Sequence, residues 1–229
     1  MRITVLGASG IQGRHQIHSL ALSNHTVIAA SRTPPALPPH PSVTHIATDF
    51  TNPEDIHFAV QGVDRVFVNL PSTSFAPAEP ILDAARVVGE ACKRAGVGLI
   101  VFNTSMPIPL QTQNIKAQDD RREIRRLLRA SGVPVISIEP VVYLDNLLEG
   151  WAVRALREEN KVVYCHKPDL RVSWVCHHDV ATIMCAAMHK LDWGTQERNI
   201  RVGGPETVVL SGPSLSFPPL SSHTHPTHT

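Results

Sequence analysis

The stretch "VLGASGIQGR", residues 5–14, decides the reading of this chain. Three glycines, Gly7, Gly10 and Gly13, fall three apart directly behind a short apolar run that starts at Arg2. A strand that enters a glycine turn and then a helix aims several backbone N–H groups, and the positive end of the helix dipole, at one point. A pyrophosphate suits that point, and glycine lets the turn close and the ligand approach. A tight strand-to-helix turn with no ligand is the alternative for any lone glycine triplet. The surroundings supply the context the motif requires: "RITVL" (2–6) is β-branched and apolar, "IQGRHQIHSLALS" sets Ile11, Ile17, Leu20 and Ala21 near helical spacing, and "HTVIAAS" (25–31) reads as a second buried strand.

Further along, "VTHIAT" (43–48), "RVFVNL" (65–70), "VGLIVFNTS" (97–105) and "PVISIEP" (134–140) read as strands. "AEPILDAARVVGEACKRAG" reads as a helix closed by Gly96, and "DDRREIRRLLRASG" as another, with Asp120 and Glu123 in capping-box spacing and Gly132 after its end. Arg121, Arg122, Arg125, Arg126 and Arg129 read as the solvated face opposite Ile124, Leu127 and Leu128. This alternation predicts an α/β fold, a doubly wound parallel sheet with helices on both faces, over residues 1–140. Residues 141–211 are expected to form a partial substrate-binding region on the carboxyl edge of the sheet: "VVYLDNLLEGWAVRALREEN" helical, "RVSWV" a strand, and "DVATIMCAAMHKL" a helix capped by Asp179. "TPPALPPHP" (33–41) reads as an extended loop, and residues 212–229, all but bare of charge and period, as a disordered tail.

The totals exclude several classes. A 229-residue chain that is 42% hydrophobic and 18% charged can bury a core, and no apolar run approaches a membrane span. A net charge of +1 gives no electrostatic reason to bind nucleic acid or anionic lipid. Four cysteines without paired spacing and an N-terminus that enters a strand at once lead to the expectation of a cytoplasmic protein. A monomer and a homodimer through sheet-side helices both stay open, since no sequence feature selects between them. "CHHD" (176–179) has no recognisable zinc spacing, so no metal site is expected.

Where an NAD-binding strand would end in a carboxylate, this chain has "AASRT" (29–33). Ser31 and Arg32, helped by Arg14, can donate charge-assisted hydrogen bonds to the 2′-phosphate of NADP(H); at ~1.5–3 kcal/mol per bond this is roughly a 10- to 150-fold preference over NAD(H). Arg32 also reads as a solvated residue opening a loop. The cofactor-binding candidates are Gly7, Ser9, Gly10, Ile11, Gln12, Gly13 and Arg14 at the turn, with Ser31 and Arg32 at the adenosine ribose. Asp49 and Phe50 are candidates for lining adenine, and Asp49 also reads as the residue that opens the turn before "NPEDI". Asn69, Leu70 and Pro71 would pass beneath the nicotinamide ribose. Asn103, Thr104 and Ser105 close the fifth strand either as ligand contacts or as strand-end caps. Tyr143, Asn146 and Trp151 are the expected substrate contacts.

On "GASGIQG", "FTNPEDIHFAVQGVDRVFV", "REIRRLLRASGVPVISIEPVVYLDNLL", "RVSWVCHHDVATIM" and "RVGGPE", the chain resembles the NmrA-like, atypical branch of the short-chain dehydrogenase/reductase superfamily over roughly residues 1–206. The resemblance implies a Rossmann-type fold and NADP(H) binding. It also implies one of two roles: reduction of a quinone or other small carbonyl compound, or redox sensing by a regulator that binds a partner protein without turnover. The Tyr-x-x-x-Lys pair of catalytic short-chain dehydrogenases is missing, since Tyr143 is followed four residues on by Leu147 and Tyr164 by Pro168. Lys116, Ser105 or water are left as weak proton sources, with Lys116 also readable as a surface charge. Relatives continue past the "GGPE" turn with helical elements, so this chain reads as truncated, and a chain without function is a third reading.

Overall fold

In the computed structural model the described residues are 1–33, 40–74, 76–162, 164–167, 169–189 and 198–209. The centre of the proline-rich stretch (34–39) and the tail from 212 onward lie outside them. In chain order the first elements are β1 (Arg2–Leu6), α1 (Ile11–Leu22), β2 (Thr26–Ser31), β3 (Val43–Ala47), α2 (Pro53–Val60), β4 (Arg65–Val68), α3 (Glu79–Arg94) and β5 (Leu99–Asn103). There follow α4 (Lys116–Ala130), β6 (Val135–Pro140), β7 (Val142–Tyr143), a 3-10 turn (Leu144–Leu148) and α5 (Gly150–Glu159). The last are β8 (Val172–Val175), α6 (His177–Met188), β9 (Arg198–Val202) and β10 (Thr207–Val208).

Seven strands form one sheet in the order β3-β2-β1-β4-β5-β6-β9, all pairs parallel. This is the Rossmann-type α/β fold. The chain starts at β1, winds outward to β3, then returns to the other side of β1 at β4. The reversal opens a crevice at the carboxyl ends of β1 and β4, the place where open parallel sheets bind ligands.

Both faces of the sheet's centre are covered, which is why β1, β2 and β4 to β6 are nearly continuous apolar runs. Alternate side chains go to opposite layers. Ile3, Val5 and Phe67 pack with Ile17 and Leu20 of α1 and Val180 and Met184 of α6. Leu6, Val66 and Phe102 pack with Ile56 of α2, Val88 and Cys92 of α3, and Ile124 and Leu128 of α4. Phe67 and Phe102 are fully buried, one in each layer, and each stabilises the fold by about 1.5–3 kcal/mol relative to an exposed ring. Pro53, in the first turn, and the Asn52 side chain, which accepts from the Glu54 N–H, start α2 just after the turn that Asp49 opens.

Several local expectations are corrected. α4 begins at Lys116 after Ile115, so the Asp120–Glu123 capping box does not form; Asp120 sits inside the helix at 2.6 Å from Lys116 Nζ, and Glu123 pairs with Arg126. α6 begins two residues before Asp179, with the Cys176 sulfur accepting from the Asp179 N–H at 3.4 Å. "VVYLDNLL" is a short strand and a 3-10 turn, and only Gly150–Glu159 is α-helical, ended by Asn160 in the left-handed conformation at φ 52°. β9, from the segment expected to build a substrate region, joins the central sheet beside β6, while β10, β8 and β7 form a small separate sheet. Among the described residues no helix is long and apolar enough to cross a membrane.

Candidate functional site

The glycine turn has two constraints of different origin. A Cβ on Gly7, which sits at φ +78°, would lie 2.3 Å from the Asn69 carbonyl oxygen, and one on Gly13 would lie 2.3 Å from the Gly7 carbonyl oxygen. These two glycines are demanded by the protein's own backbone, which must bring β4 and α1 against the end of β1. A Cβ on Gly10 would meet only the Gly7 carbonyl, at 3.3 Å. Gly10 is also the N-cap of α1 and has no side-chain hydrogen bond to the first turn. The leading N–H groups of the helix therefore open toward the crevice, the arrangement that receives an anion.

The crevice is a cleft of about 430 Å³. Gly7, Ser9, Gly10, Ile11, Gln12 and Gly13 form one wall, Ser31, Arg32 and Phe50 one end, Asn69, Leu70, Pro71 and Ser72 the floor, and Ser105, Met106 and Arg121 the other end. Twelve of the sixteen residues expected at a dinucleotide share it. A larger, shallower depression of about 680 Å³ lies over α4 beside Arg122, Arg125 and Arg126, whose charges are already matched by Asp119, Glu139 and Glu123. The crevice at the switch point is the site on physical grounds.

The remaining expected residues are placed elsewhere. Arg14 is exposed on α1 and outside the cleft wall. Asp49 points its carboxylate at the Thr51 N–H (2.9 Å) and hydroxyl (2.8 Å), bonds that hold its pKa below the usual range with a smaller contribution from Arg32; it opens the turn and does not line the cleft. Asn103 and Thr104 are buried behind it, Asn103 within 3.3 Å of the Tyr143 hydroxyl and accepting from the Ser105 N–H, Thr104 donating to the Ile138 carbonyl. Lys116 is held by Asp120 on the outer turn of α4 and does not reach the cleft.

The three expected substrate residues also stand away from the cleft wall. Tyr143 is buried with its ring stacked on His177 at 3.8 Å, and burial pushes its phenol well above the ordinary range, with the Asn103 hydrogen bond opposing. Asn146 donates to the Tyr164 hydroxyl at 2.9 Å, and Trp151, 58% exposed, leans on the Tyr164 ring. The order of elements points this segment at the cleft, and the 3-10 turn Leu144–Leu148 redirects it.

Two features of the cleft went unread. Ser105 has φ +62°, a left-handed backbone that a non-glycine residue adopts at a cost, and its hydroxyl accepts from Gln12 Nε2 at 3.0 Å. Arg121 and Arg125, read as part of a solvated face, are 3% and 6% exposed. Arg125 pairs with buried Glu139 at 2.6 Å, and Arg121 faces the cleft. The signal available was only their i,i+4 spacing beside the apolar stripe, which does not reveal a partner on a distant strand.

A parallel sheet in this order, with an uncapped glycine turn at its switch point, defines a dinucleotide-binding Rossmann protein. The chain belongs to the NAD(P)H-binding family, whose model matches residues 7–190. It is 27% identical over 174 residues to an NAD(P)H azoreductase of Xenophilus azovorans, covering 74% of this chain and 55% of that one. The chain spans 18% to 55% of the length of the curated relatives it matches, the others being mycobacterial 3β-hydroxysteroid dehydrogenases. In fold it is similar to a nucleoside-diphosphate-sugar epimerase from Staphylococcus aureus (TM-score 0.72, 21% identity, 91% of this chain and 73% of that one). It is also similar in fold to NmrA, a negative transcriptional regulator (TM-score 0.70, 18% identity, 91% and 68%). The donors present fit a nicotinamide dinucleotide: an uncapped helix start for the pyrophosphate, a guanidinium at one end of the cleft, and a flat apolar ring, Phe50, beside it.

Proposed function

We propose that the cleft binds NADP(H) and that the protein is an oxidoreductase acting on a small quinone or carbonyl acceptor. The observation that carries the cofactor choice is Arg32 in the cleft wall at the end of β2, where an NAD-selective site would place a carboxylate. Bound NADPH would supply a hydride. The chain's own residues would do the rest: the first turn of α1 would receive the pyrophosphate, Ser31 and Arg32 the 2′-phosphate, and Leu70 to Ser72 would pass beneath the nicotinamide ribose. Ser105, with its hydroxyl in the cleft, and water would move protons. The likeness to the azoreductase supports the reductase reading.

Tyr143 supports a second reading, a redox-sensing regulator that binds a partner protein. The chain lacks the lysine that would activate this phenol, and the hydroxyl is buried against Asn103. Titration of the full chain with NADPH, NADP⁺, NADH and NAD⁺, repeated on Arg32→Asp, tests the cofactor. Arg32→Asp is expected to weaken NADP(H) by at least about tenfold and to leave NAD(H) unchanged or tighter. NADPH oxidation that is stoichiometric and saturable with quinones or aldehydes supports the enzyme, whereas unequal affinities for the two redox forms with no substrate consumed support the sensor.

A further inference from the structure

Arg121 is 3% exposed, yet among the described residues its guanidinium makes one hydrogen bond, from Nη1 to the Leu70 carbonyl at 3.4 Å, the outer limit of such a contact. The neighbouring arginines are matched: Arg122 by Asp119, Arg125 by Glu139 and Arg126 by Glu123. The nearest carboxylate in sequence, Asp120, is hydrogen-bonded to Lys116 at 2.6 Å and attracts Arg121 only through space, without forming an ion pair with it. Burial still outweighs that attraction, and a buried guanidinium with one long hydrogen bond is better compensated when a partner arrives from outside the chain. Its open side is the cleft.

The sheet order says which part of the cleft. Ser31 and Arg32 follow β2, while Ser105 follows β5 and Arg121 stands on α4. β2 and β5 are three strand spacings apart, about 14 Å at about 4.8 Å each. Arg121 is therefore at the far end from the adenosine ribose, beyond the helix start that receives the pyrophosphate.

We infer that Arg121 is a substrate-recognition residue and that the acceptor is a small planar compound carrying a carboxylate. The planar fork of a guanidinium matches a carboxylate with two parallel hydrogen bonds, and a cleft end lined by Leu70, Met106 and Ser105 suits a flat, mostly apolar body. This rests on the nicotinamide end of the cofactor lying here, and it deepens that reading by naming the acceptor's charge.

The test is a calorimetric titration of the full chain, saturated with NADP⁺, with benzoate and with benzamide, which share a shape and differ in charge. Benzoate is expected to bind at least about tenfold more tightly. Arg121→Gln should abolish that preference, Arg121→Lys should retain part of it, and NADP⁺ affinity in Arg121→Gln should stay within about threefold of the parent. Equal binding of the two probes by the parent chain overturns the proposal, and does so even if the variants fail to fold. A loss of NADP⁺ affinity in Arg121→Gln as large as the loss of benzoate also overturns it, since the guanidinium would then hold the nucleotide. The same two probes titrated without nucleotide separate the failures: a chain that ignores NADP⁺ sinks the cofactor reading, while the benzoate preference still judges Arg121.

Discussion

Gln12 and Ser105 meet across the cleft, Nε2 donating to Oγ at 3.0 Å, and so join the first turn of α1 to the loop after β5. Ser105 reaches that position only with a left-handed backbone, φ +62°. Ser105→Val, branched at Cβ, should destabilise the protein by about 1–3 kcal/mol, whereas Ser105→Asn should be near neutral because asparagine tolerates that conformation. Denaturant unfolding of both variants measures the difference, and equal midpoints would refute the assignment of strain.

The glycines should separate by experiment. Gly13→Ala forces its Cβ against the Gly7 carbonyl and should lower stability by at least about 2 kcal/mol, with nucleotide binding lost as a by-product. Gly10→Ala meets only a 3.3 Å contact and should fold within about 1 kcal/mol of the parent while losing dinucleotide affinity at least about tenfold. Thermal unfolding paired with nucleotide titration checks both, and a Gly10→Ala variant that binds normally would remove Gly10 from the site.

Asn69 lines the cleft floor, but its side-chain amide serves the fold. It donates to the Leu6 carbonyl at 3.2 Å and to Gln16 Oε1 at 2.7 Å, and accepts from Gln16 Nε2 at 3.1 Å. Asn69→Ala strands a buried amide and should cost about 1–3 kcal/mol. Asn69→Ala together with Gln16→Leu should cost less than the two single changes summed, since the stranded partner is removed with it. Additive losses in urea unfolding would show that the pair is not coupled.

Stability should fall on the acid side of neutrality. Burial holds the pKa of His177 below the ordinary 6.5, with His15 acting in the same sense and Asp145 opposing. His25 is lowered by burial first, then by the N-terminal charge and His189. Because these rings resist protonation in the fold, the unfolded chain takes up more protons below pH 6.5. Their contribution is whole above that value and is lost as pH falls through the depressed folded values. His177→Phe, which keeps the stack on Tyr143, should flatten the slope of unfolding free energy between pH 7 and 5. An unchanged slope would count against the histidine as its source.

β1, β2 and β4 to β6 were legible because strands buried on both faces must be continuous apolar runs, and Gly7 and Gly13 were legible because backbone contacts at 2.3 Å leave no other residue there. β9 was not, since its alternating exposure and its Arg198 and Arg201 hide an edge strand that is recognisable only beside β6. Of the two readings of Asp49 the structure follows the turn, because a local turn to Thr51 competes with any ligand for the same carboxylate, and short-range geometry wins. Arg121 was misread because helical period separates apolar from polar but says nothing about which polar side chains are taken out of water. Tyr143, Asn146 and Trp151 were displaced by a 3-10 turn that no residue in "LDNLL" announces.

The division of labour among the three glycines bears on how such chains diverge. Gly7 and Gly13 are fixtures of the architecture and would survive the loss of every ligand, because replacing either breaks the join between β4, β1 and α1. Descendants that abandon the nucleotide are free to drift first at Gly10, so a paralogue with an altered middle glycine and intact outer ones would be an architectural heir that has given up its inherited trade.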